Sequence, residues 1–198
     1  MTNSELLIPG YHIRRGSTLE RSQLVKFIQR TYQELFPTQQ DFAHLAITVE
    51  QYFSKDTPLW WVDFSHEELG SGEGIESGNI SSPLLPATPL APLGETPRPQ
   101  WLPCSSTSSP VACLWMGNAI DQIQGDRHAH IFLLYVLPEH RRRGIATALM
   151  QYAENWAKQR GDRQIGLQVF QSNPPALNLY NHLGYQTQSL WMVKSIGQ

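Results

Sequence analysis

Apolar residues recur along this chain with two periods, and the switches between them mark its elements. Tyr11 to Arg15 alternates as a short strand, and Ser17-Thr18-Leu19-Glu20 then carries the capping-box signature of a helix start. Leu24, Phe27, Ile28, Thr31 and Leu35 follow at helical spacing and form one apolar stripe. A second helix is predicted to carry Phe42, Leu45, Val49 and Tyr52–Phe53 on one face and to end before Thr57-Pro58, because proline disfavours helical geometry in the residue before it. Leu59 to Phe64 reads as a strand. Val111 to Ala119 and His128 to Leu137 read as a strand pair around the turn-like Gln124-Gly125-Asp126. Ile145, Leu149, Tyr152, Ala153 and Trp156 give a helix from Gly144 to Arg160 its buried face, and Gly161 stops it. Gln164 to Phe170 is the next strand. Asn173 starts another helix, with Pro174 or Pro175 suited to its first turn and Gly184 to its end, and a hairpin-like pair from Tyr185 to Ile196 closes the chain.

The segment from Ser65 to Pro110 breaks this regularity. Roughly half of it is Ser, Gly or Pro, with a Pro-x-x-Pro run from Pro83 to Pro92, and such a composition buries too little apolar surface to offset its ordering entropy. It is expected to be a disordered insertion in a strand-to-strand connection, where closure entropy grows slowly with length; a polyproline ligand for a partner domain is the alternative. Composition narrows the rest. A chain of 198 residues that is 40% hydrophobic and 10% aromatic can bury one sizeable core, so a single domain is expected over residues 1–198. A formal charge of −2 and a pI near 6.4 provide no global basic field, which points away from nucleic acid and anionic membrane as partners. No long apolar run appears and the first residues lack a secretory pattern, so a soluble, cytoplasmic protein is expected. Cys104 and Cys113 have no metal-ligand spacing and read as free thiols.

Candidate chemistry gathers where the apolar strand ending in Leu134-Tyr135-Val136 meets a helix through Leu137-Pro138-Glu139-His140-Arg141-Arg142-Arg143-Gly144-Ile145-Ala146. First-turn N–H groups have no intrahelical partner and sit at the positive end of the helix dipole, so they can converge on an anion. Small residues at Gly144 and Ala146 keep the approach open, while Arg141 and Arg143 are expected to point inward and Arg142 outward. Downstream stands Asn173-x-x-Ala176-x-x-Leu179-Tyr180-x-x-x-Gly184-Tyr185. Arg-x-x-Gly-x-Ala followed by this second pattern resembles the Gcn5-related N-acetyltransferase (GNAT) superfamily, well over about Val111 to Lys194 and in outline over Tyr11 to Phe64.

The resemblance implies an α/β (α+β) fold, a mixed and mostly antiparallel sheet of about six or seven strands flanked by helices. It implies acetyl-CoA as acyl donor, without a metal, and an amine as acceptor. The pantetheine arm would lie along Leu134, Tyr135 and Val136, and the pyrophosphate on Arg141, Arg142, Arg143, Gly144, Ile145 and Ala146. Asn173 would bond the arm or cap its helix, and Asn178 is a weaker cofactor contact. Tyr180 matches the tyrosine that faces the thioester sulfur, and a phenol can donate to a departing thiolate. Some relatives carry a glutamate base at the position of Gln168, which cannot take a proton; the position used by histone-type relatives, eleven before Arg141, is His130. Histidine suits the task near neutrality, and His128 lies two residues earlier on the same face of the strand. Glu139 belongs to the loop. The function implied is acetyl transfer to a primary amine by direct attack in a ternary complex, the alternative being a non-catalytic CoA-binding or scaffold module of the same fold. The acceptor stays open as small molecule, peptide or protein, and a homodimer is compatible with the chain.

Overall fold

A computed structural model describes residues 4–65 and 109–197. Among these residues six strands form one sheet in sequential order: β1 Ser4–Ile8, β2 Tyr11–Arg15, β3 Leu59–Phe64, β4 Ala112–Ile120, β5 Arg127–Val136 and β6 Ile165–Leu167. Every neighbouring pair is antiparallel except β5 and β6, which run parallel as a strand–helix–strand order requires. Among the described residues four α-helices accompany the sheet: α1 Arg21–Leu35, α2 His44–Tyr52, α3 Ile145–Gln159 and α4 Pro174–His182. The mixed, mostly antiparallel α+β architecture expected from the sequence is the one observed.

Alternation along the strands divides the core into two layers. On one face Ile13, Trp60, Val62, Leu114, Met116 and Ile131 pack with Ile145, Leu149, Met150 and Ala153 of α3, and Tyr180 and Leu183 of α4 join the edge of that layer. On the other face Leu59, Trp61, Cys113, Trp115, Leu133 and Tyr135 meet Leu24, Phe27 and Ile28 of α1 with Leu45 and Val49 of α2. The capping box at Ser17 forms, with Glu20 accepting from the Ser17 N–H at 2.7 Å. Asn173 caps α4 by accepting from Ala176 N–H at 3.3 Å. Cys113 is a buried free thiol, and its burial pushes the pKa up.

Three expectations need correction. An unforeseen strand, β1, lines the sheet edge at Ser4–Ile8. The strand expected over Gln164 to Phe170 pairs only at Ile165–Leu167, because the chain leaves β5 beyond that point. Residues 185–197 form no hairpin: Leu190, Trp191, Met192, Val193 and Ile196 are exposed, and no Gly, Pro, Asn or Asp stands between Gln186 and Ser195 to close a tight turn. Nearly all of the insertion expected between Ser65 and Pro110, with Cys104, lies outside the described residues. No helix among the described residues is long and apolar enough to cross a membrane.

Candidate active site

The site begins at an irregularity in β5. Trp115 pairs with Leu133 and Met116 with Ile131, so Phe132 is an extra residue on β5 and the ladder is bulged there. On its other edge β5 pairs with β6 only at Ala129, His130 and Ile131. From Phe132 to Val136 the two parallel strands have separated, and Leu134, Tyr135 and Val136 border the opening. Gly117 is required beneath the bulge, since a Cβ there would stand 2.2 Å from Cε2 of Phe132.

After Val136 the chain makes a turn of 3-10 helix at Pro138–His140, then passes through Arg142 at φ +63° and Gly144 at φ +84° into α3. Two left-handed residues flanking Arg143 turn successive N–H groups toward one side, as in an anion-binding nest. Among the described residues the N–H groups of 142–147 have no hydrogen-bond partner, and the first bond of the helix is Ala148 N–H to Gly144 O at 3.0 Å. A Cβ built on Gly144 would meet nothing within 4 Å. The glycine therefore serves both the backbone angle and the open approach.

Arg141 and Arg143 are both engaged by protein atoms, and among the described residues the side chain of Arg142 between them is not. Arg141 donates through Nε to Val136 O at 2.9 Å and through Nη2 to Glu34 of α1 at 2.7 Å, and its guanidinium lies over the Tyr135 ring. Tyr135 also donates to Glu34, at 2.6 Å, so one carboxylate ties α1 to both the end of β5 and the loop. Burial first, and then the bonded Glu34, raise the Tyr135 pKa. Arg143 donates to the Tyr11 hydroxyl at 2.8 Å and to Glu139 O at 3.1 Å. Arg142 has no side-chain partner among the described residues and is exposed.

His130 and His128 project from the α1–α2 face of β5 and meet over β6. A Cβ at Gly166 would stand 3.2 Å from His128 Nε2 and 3.5 Å from His130 Nδ1, so this glycine makes room for both rings. His130 also packs edge-on against Phe132, with ring centres 5.3 Å apart. Burial and, less strongly, the charge of His128 lower the His130 pKa from its ordinary 6.5. Behind it Gln164 bridges His128 Nδ1 at 3.4 Å and Asp121 at 2.7 Å. Bonds from the backbone N–H groups of Ile123 and Gln124 hold the Asp121 pKa low.

Tyr180, on α4, is half-buried at the margin of the α3 layer, 5.8 Å from the Tyr185 ring, and its hydroxyl has no hydrogen-bond partner among the described residues. Burial raises its pKa to about 12. Asn178 is exposed and uses its carbonyl to accept from His182, while Gln168 is exposed just past β6. Ile145 is buried beneath the loop and Ala146 is half-buried. Sequence reasoning missed Glu34, Gln164, Gly166 and Phe170.

Comparison with known proteins bears on this geometry. The family model described as the acetyltransferase (GNAT) family matches residues 81–185. An uncharacterised N-acetyltransferase of Methanocaldococcus jannaschii is 35% identical over 103 residues, covering 47% of this chain and 44% of that protein. An aminoglycoside N(6')-acetyltransferase type 1 of Acinetobacter baumannii is 30% identical over 105 residues, covering 50% of this chain and 72% of that protein. The match thus spans less than half the length of the first relative and about three quarters of the second. A Clostridium acetobutylicum protein classed as an acetyltransferase and solved with acetyl-CoA shares the fold at a TM-score of 0.60 and 14% identity, over 94% of this chain and 96% of that one.

Proposed function

The chain belongs to the acetyltransferase (GNAT) family, and from that premise we propose that it is an acetyl-CoA-dependent N-acetyltransferase acting on a primary amine by direct attack. The observation that carries the reading is the separation of β5 from β6 beside a run of unpartnered N–H groups. Together they make a slot with an anion-binding floor.

Acetyl-CoA, when bound, supplies an acyl group activated as a thioester. The N–H groups of 142–147 and the guanidinium of Arg142 fit its pyrophosphate, and the peptide groups of Leu134, Tyr135 and Val136 fit its amide-bearing arm. Asn173 holds the start of α4, which carries Tyr180 and Asn178 toward the slot. His130 is neutral at pH 7, since its pKa is lowered, and so has a ring nitrogen free to take a proton from the acceptor ammonium. His128 shares the space over Gly166, and Gln164 lies between it and Asp121. Tyr180 keeps its proton on Oη throughout the physiological range and can donate to a departing thiolate. The test is direct. Acetyl-CoA should raise the melting temperature where ATP does not, and thiol should appear when a suitable amine is added; no thermal shift with acetyl-CoA would end this reading.

A further inference from the structure

Among the described residues the acceptor side of the site carries little charge that the protein does not already engage. Residues 164–193, which supply β6, the segment after it, α4 and the chain beyond, contain no Asp, Glu, Lys or Arg. Gln168 stands where a carboxylate could have reached the amine. On the paired stretch just before the opening β5 presents His128 and His130, with Asp121 behind them held by the Ile123 and Gln124 N–H groups and by Gln164. The carboxylate that α1 brings to this face, Glu34, is already bonded by Tyr135 and Arg141. In the connection between α1 and α2, Asp41 accepts from Ala43 N–H at the start of the second helix.

Aromatic rings take the place of charge. Phe170, three residues beyond the last paired position of β6, reaches over to the end of α1, with ring centres 6.0 Å from Tyr32 and 5.2 Å from Phe36. Tyr32 and Phe36 lie 6.1 Å apart, which closes the triangle. These rings bridge from the β6 side to the α1 side where the strands have parted, and Phe170 is 44% exposed. Farther along β5, Tyr52 of α2 packs on Phe132, which in turn contacts His130.

Such walls discriminate by charge. One ammonium can be delivered to the histidines or carried on a ring face. A second and a third would lose hydration against amides and hydrocarbon, since among the described residues Glu34, Asp41 and Asp121 are already engaged by protein donors. An apolar group next to the reacting amine would instead cover the exposed face of Phe170. We propose that the acceptor is a primary amine borne on an aromatic or apolar group, with the reacting nitrogen as its only cation. The proposal rests on the N-acetyltransferase reading above. A free arylalkylamine and the amino terminus of a peptide with a large apolar first residue share this chemistry.

The test supplies acetyl-CoA with four acceptors and follows thiol release: 2-phenylethylamine, a phenylalanine-initiated peptide amide lacking Lys and Arg, spermidine and kanamycin. One of the first two should exceed both polycations in kcat/KM by about tenfold or more, and whichever leads names the source. Phe170→Ala, or Phe170→Leu should the first variant lose its cooperative melt, should raise KM for that acceptor several-fold, with about the same acetyl-CoA affinity. Preference for spermidine or kanamycin would overturn the proposal. So would an unchanged KM in both Phe170 variants, or no turnover of either monoamine by an enzyme that binds acetyl-CoA. Failure to bind acetyl-CoA would instead overturn the N-acetyltransferase reading itself.

Discussion

Tyr180 packs at the edge of the α3 layer and His130 stands on the α1–α2 face of β5, and burial moves their pKa values apart in the sense that would suit an acid and a base. Tyr180→Phe keeps the ring and removes the donor, so kcat should fall by roughly ten- to a thousandfold, with acetyl-CoA affinity held. With a pKa of about 12, Tyr180 should contribute no alkaline limb to the pH–rate profile below about pH 11. The acidic limb should have its midpoint below 6.5, where His130 gains a proton, and His130→Ala should remove it and be partly rescued at high pH. A limb that persisted unshifted would place the base elsewhere. The same shift has a consequence for stability. The folded state binds the His130 proton less readily than the unfolded chain, so this contribution is complete above pH 6.5 and declines as pH falls through 6.5 toward the lowered folded value. At the loop, Gly144→Ala should weaken acetyl-CoA binding in calorimetry mainly through its backbone at φ +84°, and Arg142→Ala should weaken it through lost charge. Arg141→Ala should lower the melting temperature as well, since it also frees Glu34 and Tyr135.

What the sequence revealed depends on how local the cause was. The capping box at Ser17, the strand Leu59–Phe64 and the cap at Asn173 are set by residues within a few positions of one another, and all three formed as expected. So did the glycine-containing turn into α3. Glu34 was illegible because an exposed glutamate on a helix looks solvated. Its partners Tyr135 and Arg141 are 101 and 107 residues away and meet it only once α1 lies on β5. Phe170 looked like the end of a strand, since composition does not show that β6 parts from β5 after Leu167. The hairpin expected after Tyr185 failed for the opposite reason, since the apolar run Leu190 to Val193 was present without a turn residue to fold it. The bulge at Phe132 could not be read at all, because an extra residue is defined only against the partner strand. It can be tested through Gly117, whose replacement by alanine drives a methyl into the Phe132 ring, itself 4.8 Å from Trp115 and 5.3 Å from His130. Gly117→Ala should cost about 1–3 kcal/mol in chemical denaturation and raise the acceptor KM; a neutral result would mean the bulge relaxes freely.

At the scale of the whole molecule, the chain between β3 and β4 departs and returns at nearly the same place. Val62 pairs with Ala112, and Val111 N–H donates to Val62 O at 2.7 Å. Ser65 N–H is held by Gly10 O at 3.1 Å, so the departing end is fixed to the β1–β2 turn. Two antiparallel neighbours whose ends are this close can be joined by a short turn without altering register, and loop-closure entropy favours the shorter connection by only about 0.6 kcal/mol per halving of length. The described residues of the two core layers come from outside the connection, with α1 and α2 on one face and α3 on the other. Replacing Glu67 to Ser108 with a short Gly/Ser turn should therefore leave a single cooperative melt within a few degrees of the parent, and acetyl-CoA affinity within about threefold. Retained affinity with a changed acceptor KM would assign the connection to substrate binding. A collapsed melting temperature would show that the segment packs against the domain and that the two-layer core is incomplete without it.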